Sequence, residues 1–89
     1  MSALDDLRKG EIFVVRTMLK MDSRRKPLNK LTIIREGNHG RCLVDGVLAV
    51  LKAQKYIQVV PPKRRGEPEL YAFTKEGRIS CQEVAGSHF

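Results

Sequence analysis

Two runs of cations are the residues best placed to do chemistry in this sequence. Lys63-Arg64-Arg65 stands beside Gly66, and Arg24-Arg25-Lys26 stands ahead of Pro27. Glycine and proline put both runs in loops, where long basic side chains reach outward toward an anion. Taken alone, each run also reads as a solvated surface loop. The chemistry of catalysis is missing. There is no Walker loop, HExxH or GxSxG motif, no paired carboxylates and no nucleophile–base set, so no enzyme is expected. Cys42 and Cys81 form no CxxC or Cys/His cluster. They read as small core or surface fillers, and no metal or other cofactor is expected.

Charge and size agree with an anionic partner. The 89 residues include 17 Lys+Arg and 10 Asp+Glu, a net charge of +7. Residues 1–66 hold 15 of those bases and 6 of those acids, or +9, while residues 67–89 hold 2 and 4, or −2. An excess of that size in one small domain favours nucleic acid, an anionic membrane surface or an acidic protein. No apolar run approaches the roughly 20 residues that span a bilayer. Met1 to Asp6 lacks a basic stretch followed by an apolar one, so no signal peptide is expected. The expected setting is reducing and cytoplasmic.

Periodicity supplies the elements that must hold the basic loops. Ser2 and Asp5 form a capping signal for a short helix at 2–9, which Gly10 interrupts. The apolar stretch 11–21 reads as a buried helix from Ile12, Val15 and Leu19, with Phe13 and Met18 flanking; its β-branched start leaves a strand as the alternative. Asn29 caps a helix over 28–36, with Leu31, Ile34 and Ile33 facing inward and Gly37 as a left-handed stop. Residues 38–40 make a tight turn. A longer helix over 41–54 carries Leu43, Val47, Val50 and Leu51 on one stripe, widened by Val44 and Leu48. Gly46 interrupts it at a cost of about 1 kcal/mol, for which close packing is the expected reason. Strands at 56–60 and 69–73 flank the proline-bounded loop 61–68, a hairpin with a basic tip. Thr74 caps a last helix from 75 to about 84, and 85–89 is expected to fray.

This order resembles a winged helix-turn-helix domain. Pro27-Leu28-Asn29, then Ile33 to Arg41, then Val47-Leu48 and Leu51 resemble the helix-turn-helix. Leu51-Lys52-Ala53-Gln54-Lys55-Tyr56-Ile57 resembles the exit from its second helix. Leu70-Tyr71-Ala72-Phe73-Thr74-Lys75-Glu76-Gly77-Arg78 is similar to the close of the wing in small bacterial regulators of the MarR and PadR type. Lys55 stands where such regulators usually have glycine at a position of positive φ.

The resemblance implies an α+β, mainly helical fold: a three-helix core, a β-hairpin wing and a C-terminal helix. One domain spans 1–89, with an extension at 1–9, the helix-turn-helix at 28–54, the wing at 56–74 and the last helix and tail at 75–89. It also implies binding of double-stranded DNA by a transcriptional regulator associated with the nucleoid. The recognition helix would enter the major groove with Asn38, His39, Arg41 and Asp45 at its leading end. Arg41 would fork onto a guanine. Lys63, Arg64 and Arg65 would reach the backbone or minor groove, and Arg24, Arg25, Lys26 and Lys30 would meet phosphate. Plainer roles compete: a turn or cap for Asn38 and His39, and a helix salt bridge for Asp45. A homodimer is expected, joined around Leu4 and Leu7 or through the last helix, with no effector pocket beyond a shallow groove.

Two other readings accompany it. The Gly37–Gly40 loop resembles the KH-type loop that clamps single-stranded nucleic acid, provided residues 11–16 form a strand. A winged helix used only for protein contacts is the other.

Overall fold

The computed structural model describes residues 8–87. Four helices and one hairpin follow in the order α1 (Lys9–Ser23), α2 (Lys30–Gly37), α3 (Arg41–Ala53), β1 (Ile57–Val60), β2 (Leu70–Phe73) and α4 (Lys75–Ser87). The expected helix at 2–9 falls outside the described residues except at its end. There Lys9 and Gly10 belong to α1, so Gly10 interrupts nothing.

The helix reading of 11–21 holds and the strand alternative fails, and with it the strand-first order that a KH-type domain needs. Ile12, Val14, Val15, Met18 and Met21 are buried along α1, whereas Phe13 is 41% exposed. This stripe lets α1 touch α2, α3 and α4 at once. From α3, Val44, Val47, Leu48 and Leu51 complete the core, together with Leu28, Ile33, Ile57, Phe73 and Cys81. Each side chain buried as fully as Leu51 contributes about 1.5–3 kcal/mol. Leu31 departs from expectation. It is 57% exposed, and Ile33 takes the buried position on α2. The single inward turn of so short a helix is set by Leu28, which is anchored just before it.

That anchor is a backbone bridge. The amide of Tyr71 donates to the carbonyl of Leu28 at 2.7 Å, so β2 lies between Leu28 and β1. β1 and β2 are antiparallel, with Ile57 opposite Phe73 and Val60 opposite Leu70. The outer edge of β1 has no strand partner among the described residues, and Pro61-Pro62 follow it directly. Asn29 then starts α2 through a reciprocal cap. Its side chain accepts from the amide of Thr32 at 2.9 Å, and the Thr32 hydroxyl accepts from the amide of Asn29 at 3.2 Å.

Three helices end on a residue in the left-handed region, and none of the three is glycine: Arg25 (φ 58°), Asn38 (φ 52°) and Lys55 (φ 61°). Gly37 is therefore not the stop of α2; Asn38 is. At α1 the amide of Lys26 donates to Met21 at 2.9 Å and that of Arg25 to Asp22 at 3.0 Å. At α3 Tyr56 donates to Leu51 at 2.9 Å and Lys55 to Lys52 at 3.0 Å. Both are paired closures that satisfy the last helical carbonyls.

The start of α4 is the tightest junction. Thr74 caps it as expected, its hydroxyl accepting from the amide of Gly77 at 3.0 Å. The same hydroxyl lies 2.9 Å from the carbonyl of Lys55 and 3.2 Å from that of Tyr56. A Cβ on Gly77 would collide with the Tyr56 carbonyl. Arg78 then forks onto Asp22 of α1, with Nε at 3.0 Å from Oδ2. The expected fraying at 85–89 is corrected over its first residues: α4 runs to Ser87, and Ala85 is buried because it packs on the core side. Gly46 also departs from expectation. A Cβ there would meet nothing within 4 Å, so close packing within the chain does not explain it.

Gly77→Ala is expected to destabilise the fold by about 3 kcal/mol, the upper range for overpacking against rigid backbone. Lys55→Gly is expected to stabilise it by about 0.5–1 kcal/mol, because relief of left-handed strain exceeds the added freedom of the unfolded chain. Midpoints of urea denaturation measure both.

Candidate nucleic-acid interface

The buried stripe of α3 leaves Arg41, Cys42, Asp45, Gly46, Ala49, Lys52 and Ala53 exposed on the opposite side. Arg41 is the first residue of the helix. Gly40, the N-cap, supplies no side-chain acceptor, so the first-turn amides of α3 lack a side-chain cap. Such amides attract anions through their free N–H groups and the helix dipole. Arg41 makes no ion pair with another described residue. Cys42, Gly46, Ala49 and Lys52 were absent from the sequence-derived site, although their spacing of three and four from one another marks the same outward face. They carry the small or plain side chains that composition-based reasoning passes over.

His39 does not point out with this face as expected. Asn38 supplies the left-handed stop of α2 through its backbone, and its side chain is exposed. His39 turns back toward α1, and its Nε2 lies 2.8 Å from the hydroxyl of Thr17. That hydroxyl lies 3.0 Å from the Phe13 carbonyl and donates to it, so His39 Nε2–H is the donor to Thr17. Gly37 is needed here for space. A Cβ on it would strike the His39 ring and come within 2.7 Å of the Thr17 oxygen. Burial lowers the His39 pKa below its ordinary value. His39, Thr17, Gly37, Gly10, Phe13 and Leu43 form an open groove of about 570 Å³ that Arg16 and Lys20 also line.

Of the expected phosphate contacts, two are already paired. Lys26 Nζ lies 2.7 Å from Glu36, and this hydrogen-bonded cation holds the Glu36 carboxyl below its usual range. Lys30 Nζ lies 2.6 Å from Asp45 Oδ1, joining the first turn of α2 to α3. Arg24 and Arg25 are exposed at the end of α1 and make no ion pair among the described residues.

The basic loop between β1 and β2 is exposed throughout 61–69. Its tip is a turn in which the amide of Glu67 donates to the carbonyl of Arg64 at 3.3 Å. Gly66 takes the positive φ of 86° that this turn requires at its third position. Lys63, Arg64 and Arg65 therefore project from the end of the hairpin without an ion pair among the described residues. The buried Cys81 thiol is pushed up to about 12, which keeps it protonated, and Cys42 is exposed beside Arg41. Among the described residues, no group of His, Cys, Asp or Glu is arranged to hold a metal. No described helix is long and apolar enough to cross a membrane.

Three solved structures share this architecture. NMB1585, a MarR family regulator from Neisseria meningitidis, superposes with a TM-score of 0.67 at 18% identity over 94% of this chain and 56% of its own. The adhesin competence repressor AdcR from Streptococcus pyogenes gives 0.68 at 12% identity, over 93% and 58%. A mutant of ZitR from Lactococcus lactis gives 0.69 at 16% identity, over 99% and 56%. The chain thus spans a little over half the length of these structures. No protein-family model matches the sequence, and neither does any curated protein. The fold is a winged helix: helices α2 and α3 form the helix-turn-helix and β1–β2 the wing.

The His39 site yields a pH dependence of known sign. A histidine whose folded pKa is depressed leaves stability intact above the unfolded value of about 6.5 and erodes it as pH falls through that value toward the folded one. Thermal midpoints are expected to be level from about pH 8 to 7 and to decline below about 6.5. The His39→Gln variant, which retains a donor for Thr17, is expected to lack that decline.

Proposed function

We propose that this chain binds double-stranded DNA and acts as a transcriptional regulator, with α3 in the major groove and the β1–β2 loop on the phosphate backbone or in the minor groove. One observation carries the reading. The winged-helix fold carries cations that make no ion pair among the described residues both at the start of α3 (Arg41) and at the wing tip (Lys63, Arg64, Arg65). Phosphate contacts of this kind supply affinity, and base-edge contacts from α3 supply selectivity. Arg24 and Arg25 add charge at the C-terminal end of α1, while Lys26 and Lys30 bring less because each already holds a carboxylate.

A homodimer follows from the same physics. One helix of 13 residues reads few base pairs, and two copies on paired half-sites multiply its selectivity. A regulator of this kind works in the cytoplasm on the nucleoid.

Gel shifts with duplex DNA, single-stranded DNA and RNA at two salt concentrations test the reading. Duplex is expected to bind tightest. Reversing charge at Arg64 and Arg65 together is expected to lower the slope of log K against log salt by at least about 2. Tighter binding of single strands, or an unchanged slope in the double variant, would overturn the placement of the wing on DNA.

A further inference from the structure

We propose that Asp45 is a base-selecting residue that accepts a hydrogen bond from the exocyclic amino group of a cytosine, with Lys30 as the positioning residue that aims its carboxylate. The inference rests on the reading of α3 as the helix that enters the major groove.

Asp45 is the one acidic residue of α3. It stands four residues after Arg41, so the two share the exposed face, one turn apart. Its Oδ1 holds Lys30 Nζ at 2.6 Å, and its side chain stays 50% exposed. Oδ2 has no partner among the described residues. An anion on a face turned toward DNA is repelled by the phosphates unless a base supplies a donor. Lys30 neutralises the pair and fixes the carboxylate, which lets it approach.

Major-groove chemistry then selects the base. Two bases offer an amino donor there, adenine and cytosine. Adenine sets its N7 acceptor beside that donor, and a carboxylate, which only accepts, is repelled by N7. Cytosine has an acceptor on one side of its amino group only, the O6 of its paired guanine, and a C–H on the other. Guanine and thymine offer acceptors only. Apart from Arg41, its neighbours on the exposed face are the small residues Cys42, Gly46 and Ala49.

Helical rise fixes the spacing. Four residues advance about 6 Å along α3, close to two base-pair steps of about 3.4 Å. The preferred duplex therefore carries the guanine read by Arg41 and the cytosine read by Asp45 about two base pairs apart.

Selection from a randomised duplex pool with the full chain, followed by fluorescence anisotropy on the selected duplex and its single-base variants, tests this. The wild type is expected to prefer cytosine about tenfold at the Asp45 position. Asp45→Asn keeps the shape and an acceptor for Lys30 but gains a donor, and is expected to switch the preference to adenine. Asp45→Ala is expected to bind all four bases there alike. Arg41→Ala is expected to lose the guanine preference and keep that for cytosine. Lys30→Met is expected to lose the cytosine preference, and Lys30→Arg to restore it. Wild-type preference persisting in both Asp45 variants overturns the inference and leaves duplex binding standing. A wild type that binds no duplex overturns the underlying reading as well.

Discussion

The approach of α4 to the backbone at Tyr56 constrains the rest of the molecule. Gly77 lies so close to the Tyr56 carbonyl that no side chain fits between them. Thr74, three residues earlier, receives the Gly77 amide on its hydroxyl and gives its own amide to Tyr56 at 3.0 Å. Four elements meet at that point: the end of α3, the start of β1, the end of β2 and the start of α4. Arg78 adds a fork onto Asp22, which ties the junction to α1. The hairpin leaves α3 after only residues 54–56. Its direction relative to α3 is therefore set by backbone contact rather than by adjustable side chains.

Short connections follow from the way the helices stop. Left-handed residues at Arg25, Asn38 and Lys55 reverse the chain within a few residues, so α2 and α3 are separated by only 38–40. Each such conformation costs a residue with a Cβ about 1–2 kcal/mol. Asparagine bears it most easily, through its short polar side chain. At Arg25 and Lys55 the paired closures offset it. Strain and positive charge coincide at these two positions, because the same outward bend that strains the backbone carries the side chain into solvent.

Much of this was legible in the sequence, for reasons visible residue by residue. Strict periodicity gave the core of α3, and the proline-bounded loop between a β-branched run and an aromatic-containing run gave the hairpin. Thr74 and Asn29 announced their helices because a capping hydroxyl or amide acts within three residues of itself. Longer-range effects stayed hidden. The resemblance at Thr74 to Arg78 pointed to a wing, yet Gly77 and Arg78 owe their identity to Tyr56 and Asp22, which lie far off in sequence. His39 stood beside Arg41 in the chain and was assigned the same surface; a hydrogen bond to Thr17, 22 residues earlier, sends it the other way. Leu31 faces outward, against expectation, because the bridge from Leu28 to Tyr71 sets the rotation of α2, and no pattern within eight residues encodes that.

The outer edge of β1 has a further consequence. A strand edge with no partner among the described residues, bearing Val59 and Val60, each more than a third exposed, is a template on which other chains can add. Pro61 and Pro62 lack the N–H that a growing ladder needs, so any added strand runs out of partners after four residues. The cationic loop beyond them repels an identical copy. The motif that equips this hairpin to meet a polyanion thus also guards the protein against templated aggregation with itself.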